Sequence, residues 1–275
     1  MAIVTRHACR LICLKTLGVL NGDMNRFFTF GCSFTEYAWP TWADIVGQEF
    51  DEYENWGRCG AGNLFISNQV VECHLKNTIS ANDTVAIMWT NITREDRYIN
   101  RIWETHGNIL TGEFFPDTYI KQIFDVRGFY VRDLALMYST KVLLESIGCK
   151  YYFFSMVPVG NSDQYNYTAN SDLAEIDDLL ISYSELLNSF YPSVFEEIFN
   201  FNWQSKTLLS GAERFDNHPT PMEHLQYIKQ VAPELYALIS SDTFKWVSEV
   251  NTLVEQNQWG CWENPYTSWP VQKRF

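Results

Sequence analysis

Two rhythms of apolar residues run along this 275-residue chain: short β-rich runs, and longer stretches with helical spacing. The short runs are Phe27 to Phe30, Tyr53 to Trp56, Thr84 to Trp89 and Lys150 to Val157. The third is almost continuously apolar, the pattern of a central parallel strand covered on both faces. Between the runs, Trp42, Ile45 and Val46 recur at helical spacing behind Pro40, a residue suited to a first helical turn. Leu64, Ile66, Val70, Val71 and Leu75 supply the packing face of a second helix. A long helix is predicted over 125–147, ended by Gly148. Further helices are predicted near 171–190, from Pro219-Thr220-Pro221 to about Ile239, and over 243–257. Strands alternating with helices give an α/β chain with a parallel sheet and helices on both faces. In such folds the site lies beyond the carboxyl ends of the strands.

Residues 1–23 precede the first strand and read as an extension, with Met24 a candidate true start. The main domain is expected over 24–240, with 92–124 as an insertion over one end of the sheet. Residues 241–275 add a helix and a tail carrying Trp259, Trp262, Tyr266 and Trp269. A hydrophobic content of 46% supports a buried core. The net charge of −13, without a dense basic stretch, argues against a nucleic-acid partner. No apolar run approaches the ~20 residues of a membrane span, so no membrane partner is expected. The seven cysteines are odd in number and form no C-x-x-C pair, which suggests thiols in a reducing, cytoplasmic setting. The segment from His7 to Cys13 lacks a matching second ligand pair, so no metal is expected.

Four short segments at strand or loop ends carry complementary chemistry. Gly31-Cys32-Ser33 ends the first strand in a sharp turn that would expose a hydroxyl, although a serine there can equally cap a helix. His218 offers a base and Asp216 a carboxylate to orient it; the plainer reading is a solvated loop. Gly60 in a glycine-rich turn and Asn91 after the third strand could donate to an oxyanion, or be a simple turn glycine and an Asx turn. His224 reads as a packing residue beneath the site. Cys32 is the alternative nucleophile, but Ser33 fits the exposed position better. Arg94-Glu95-Asp96-Arg97 reads as a solvated loop, and the aromatics of 98–124 and 259–269 as packing.

Taken in order, these segments resemble the SGNH/GDSL hydrolase superfamily. Ser33 in Gly-Cys-Ser-Phe-Thr matches the nucleophile block, Gly60 in Asn-Trp-Gly-Arg-Cys-Gly the glycine block, and Asn91 in Trp-Thr-Asn the asparagine block. Asp216 and His218, followed by Pro219, match the last block, and His224 resembles a second, non-catalytic histidine. The chain departs from the pattern at Cys32, where aspartate is usual, at Trp89 for glycine and at Ile92 for aspartate. It also separates Asp216 from His218 by one residue instead of two. The resemblance implies a three-layer α/β/α sandwich with a mainly parallel, flavodoxin-like sheet, and a serine esterase without metal or cofactor. The catalytic set would be Ser33, Asp216 and His218, with Ser33, Gly60 and Asn91 as the oxyanion hole. The implied substrate is an acylated carbohydrate or small ester. An O-acyltransferase and a non-catalytic virion protein are the alternatives. Similarity of Gly-Cys-Ser-Phe-Thr to phage members adds virion association to the expected localisations.

Overall fold

The computed structural model describes residues 25–110, 114–160, 176–201, 206–207, 215–216 and 218–256, the strand pairs 206–207 and 215–216 by backbone alone. The expectations for 1–23, for the helix start near 171 and for the aromatic tail lie outside them.

The chain opens with β1 (Arg26–Gly31), α1 (Trp42–Gly47), β2 (Glu52–Asn55), α2 (Asn63–Asn77) and β3 (Thr84–Trp89). A hairpin, β4 (Arg94–Ile99) and β5 (Ile102–Asn108), follows, then α3 (Asp117–Ile123), α4 (Val126–Ile147) and β6 (Lys150–Ser155). Three short helices come next, α5 (Asp177–Ser182), α6 (Ser184–Leu187) and α7 (Val194–Glu197). The chain continues through β7 (Lys206–Thr207), β8 (Phe215–Asp216), α8 (Pro221–Val231), α9 (Pro233–Tyr236) and α10 (Ser241–Glu255).

The central sheet has the order β2-β1-β3-β6, every pair parallel. A parallel bridge from Phe153 to Phe190 extends it by one position. This is the flavodoxin-like order, with β6 in fourth place because the hairpin stands apart from the sheet. Successive side chains of β6 point to opposite faces, as strand geometry requires. Phe154 meets Trp42 of α1 and Tyr227 of α8, whereas Phe153 meets Trp89 and Phe190. Helices α2 and α4 are joined by Ser67 and Thr140, whose hydroxyls lie 3.0 Å apart. Ile45, Leu225 and Val247 pack α1, α8 and α10 together. The fold is thus the three-layer α/β/α sandwich.

Several element boundaries differ from the sequence expectation. Pro40 lies outside α1, and Thr41 caps it in a capping box with Asp44. The buried stripe of α2 is Phe65, Ile66, Val70 and Cys73, whereas Val71 and Leu75 are exposed. The stripe is rotated because Gln69 and Cys73 face inward in place of the two aliphatic residues. The helix starting at Pro221 stops at Val231, since Pro233 removes a donor and restricts Ala232. Asp125 and Gly148 bound α4, the latter left-handed at φ 77°. Burial pushes the Cys73 thiol up to about 12 and the Cys149 thiol up to about 11, so both stay neutral in the core.

Candidate active site

Strand β1 ends where the order of the sheet reverses, between β2 and β3, and the turn that follows carries Ser33. Gly31 makes that turn possible: a Cβ there would sit 2.1 Å from Thr35 Oγ1. The turn closes through Thr35 N–H and Glu36 N–H, both donating to the Cys32 carbonyl. Cys32 points inward, fully buried, with Sγ 4.0 Å from Met156 Sδ, so its thiol is withheld from substrate. Ser33 Oγ faces the other way. It lies 2.8 Å from Nε2 of His218, across 185 residues of chain.

The histidine is delivered by the loop ahead of α8. Thr220 caps that helix in a capping box with Glu223. Trp39, from the Ser33 turn, donates its Nε1–H to the Pro219 carbonyl at 2.8 Å. Asp216 lies in β8, paired with Lys206 of β7; its side chain is outside the described residues. His224 is buried on α8 and meets Phe34 edge-on at 6.4 Å, a packing contact under the Ser33 turn.

The proposed oxyanion donors sit on neighbouring strand ends. β1 and β3 run in register with Gly31 opposite Met88, which sets Ser33 and Asn91 on adjacent exits from the sheet. Asn91 Oδ1 accepts from the Thr93 N–H and the Thr93 hydroxyl, both at 2.9 Å. That pairing identifies the oxygen and leaves the two Nδ2 hydrogens available. Gly60 is left-handed at φ 78°, and a Cβ on it would come within 2.2 Å of the Thr105 carbonyl of β5. Among the described residues, Ser33 N–H, Gly60 N–H and Asn91 Nδ2 meet no acceptor.

The sequence departures around Asn91 are accommodated in the packing. Trp89 is wholly buried and turned to the core against Phe153, so its bulk stays out of the site. Ile92 is buried too, and its carbonyl accepts from Arg132 Nη2. The same nitrogen reaches the Arg94 carbonyl, while Nη1 and Nε meet Glu95 and Asp133. Asn63, at the start of α2, binds the Thr90 N–H and carbonyl at once and donates to Asp133 at 2.6 Å. Burial pushes the Asp133 carboxyl up to about 6, against the opposing pull of Arg132 and Asn63. Asp96 accepts the Gly62 and Phe65 N–H groups opening α2, and burial also raises its pKa. Arg94 to Arg97 therefore form strand β4, with Glu95 and Asp96 buried, not a solvated loop. A charged group is tolerated there because each carboxylate is paired or hydrogen-bonded. The aromatics of the region divide: Trp103 packs on Phe65, whereas Tyr98 and Phe114 are 61% and 65% exposed.

Ser33, Asp216, His218, Gly60 and Asn91 were thus legible in the sequence, whereas Asn63, Arg132 and Asp133, and Tyr37 and Trp39 beside the histidine, were not. Asn63 alone had a local signal, a polar residue directly after a glycine turn and before an apolar helical stretch.

No family model and no curated protein matches the chain. Solved structures do. An acetyl-xylooligosaccharide esterase from Geobacillus stearothermophilus is 12% identical at a TM-score of 0.43, over 78% of this chain and 96% of its own. A carbohydrate esterase family 2 enzyme from Corynascus thermopiles is 11% identical at 0.42, over 81% of this chain and 68% of its own. A member of the lipolytic G-D-S-L family from Veillonella parvula is 12% identical at 0.38, over 80% and 97%. Likeness at this level leaves function to the geometry of the chain itself.

Proposed function

We propose that this chain is a serine esterase of SGNH type that removes acetyl or another short acyl group from a glycan or small ester. The observation that carries the reading is the 2.8 Å contact between Ser33 Oγ and His218 Nε2. A serine is weakly nucleophilic alone and is activated by such a base. Ser33 gives its proton to Nε2 as Oγ attacks the acyl carbonyl. The carbonyl oxygen becomes an oxyanion, received by the Ser33 and Gly60 N–H groups and the Asn91 amide. His218 then protonates the departing alcohol, and the alcohol leaves an acyl-Ser33. Water, deprotonated by the same nitrogen, releases the carboxylic acid and restores Ser33. Asp216 is assigned to hold the imidazole and balance its charge, the carboxylate role in a triad. The residue resemblance directs the choice of short acyl esters and carbohydrate carriers.

The test is labelling with a fluorophosphonate probe alongside hydrolysis of an aryl acetate. Ser33→Ala should abolish both, leaving at most a residual rate. Folded wild-type protein that neither labels nor turns over any short-chain ester would remove the enzyme reading and leave a binding or virion role. Product partitioning to added sugar acceptors instead of water would make the same site an O-acyltransferase.

A further inference from the structure

The His218 imidazole is enclosed on one face as well as engaged at its edge. Tyr37 stacks on it with ring centroids 3.7 Å apart and planes 16° from parallel. Phe34 approaches edge-on at 5.3 Å. Both come from the turn that carries Ser33. Tyr37 is braced in turn by Trp39, edge-on at 4.6 Å. Trp39 is buried against Val250 and Val254 of α10 and holds the Pro219 carbonyl. One seven-residue stretch, Ser33 to Trp39, thus presents the nucleophile, covers the base and ties the base's own main chain.

We propose that Tyr37 is a positioning residue for the general base: its ring holds the imidazole in the plane that aims Nε2 at Ser33, and its face supports the imidazolium formed during attack. Two physical effects operate. A parallel ring in contact removes rotation about the histidine χ2, and misplacement of a reacting group by 1 Å can cost about 100-fold in rate. An aromatic face also attracts a cation held over it. A carboxylate partner acts in the plane of the imidazole, whereas Tyr37 acts across its face, so the two contributions are independent. The tyrosine hydroxyl has no part in this, and phenylalanine should serve.

The rate consequence rests on the esterase reading; the contact does not. The experiment pairs steady-state hydrolysis of an aryl acetate with NMR titration of the His218 imidazole, in wild type, Tyr37→Phe and Tyr37→Leu. Tyr37→Leu is expected to lower kcat about 10- to 100-fold with KM within about twofold. Its His218 midpoint should fall by about half to one pH unit, the size expected for loss of a cation–aromatic contact. Tyr37→Phe should restore both. Ionisable residues on the surrounding elements are Cys32 and Glu36 in the turn, Asp216 in β8, and Glu223, His224, Tyr227 and Lys229 on α8. All are retained in both variants, so the difference between them reports the ring.

Wild-type kcat and titration in Tyr37→Leu would overturn the proposal, as would a Tyr37→Phe variant as impaired as Tyr37→Leu. Should Tyr37→Leu fail to fold, the wild-type protein decides. A ring stacked at 3.7 Å shifts the His218 Hε1 resonance upfield, and a resonance at its ordinary position would overturn the stack. If wild type turns over no ester, the functional reading fails, while the titration still decides whether Tyr37 holds and supports the His218 ring.

Discussion

At Asn91 the amide is oriented before any substrate arrives, because Thr93 takes up its carbonyl oxygen twice over. A donor fixed in this way loses nothing to reorganisation when charge develops, which is why such donors are effective. On the proposed oxyanion role, Asn91→Ala should lower kcat by about 100- to 1000-fold while leaving KM nearly unchanged, as read from aryl-ester kinetics. Thr93→Val removes only the hydroxyl half of the restraint, and its loss should be clearly smaller. Gly60 is constrained by shape instead. A methyl group there must displace the Thr105 carbonyl and accept φ 78°, so Gly60→Ala should lose on the order of 1–3 kcal/mol of stability in urea unfolding.

Among the elements, the start of α2 ties down the segment that carries Asn91. Asn63 satisfies both the N–H and the carbonyl of Thr90, the residue before Asn91, while Arg132 of α4 holds the carbonyls of Ile92 and Arg94 on its other side. Replacing Asn63 by Ala strands buried polar groups at Thr90 and Asp133, and should lower stability by on the order of 2–3 kcal/mol in urea unfolding. Three of the four sheet strands, β1, β3 and β6, were legible in the sequence as dense apolar runs, whereas β2 is half polar and was legible from Tyr53 and Trp56 ahead of a glycine-rich turn. The Ser33 turn and the His218 loop were legible because their chemistry is contiguous. The Asn63–Asp133–Arg132 network was not, since its members lie in α2 and α4 and its targets in between; contacts 27 and 70 residues apart leave no periodic trace. The phase of α2 departs from its apolar pattern for a related reason. Val71 and Leu75 are apolar, but tertiary packing selected Gln69 and Cys73 for the interior. Tyr37 gave no signal at all: nothing near it in the chain reveals that a histidine from the far end will lie on its ring.

For the molecule as a whole, the buried Asp133 links folding to pH. Its carboxyl rises from an ordinary 3.8 to about 6, chiefly through burial. The folded state thus holds this proton more tightly than the unfolded chain does. That contribution to stability is present below about pH 4 and is lost as pH rises through about 6. Urea unfolding of wild type and Asp133→Asn, compared across pH, should show the wild-type stability falling relative to the variant between about pH 4 and 7 and levelling above it. A constant difference across that window would mean that Asp133 stays ionised throughout.

The two ends of the proposed reacting pair also set an order of events during synthesis. Ser33 leaves the ribosome early, but its base is 185 residues behind it and the bond from Trp39 to Pro219 spans 180. At translation rates of about 5–20 residues per second, the nucleophile waits roughly ten to forty seconds before its partner exists. Throughout that interval the nascent chain carries an ordinary, unactivated serine, and so does any product truncated before His218. On the proposed mechanism, a chain interrupted before His218 lacks the base, and the pair is complete only with nearly the whole described domain.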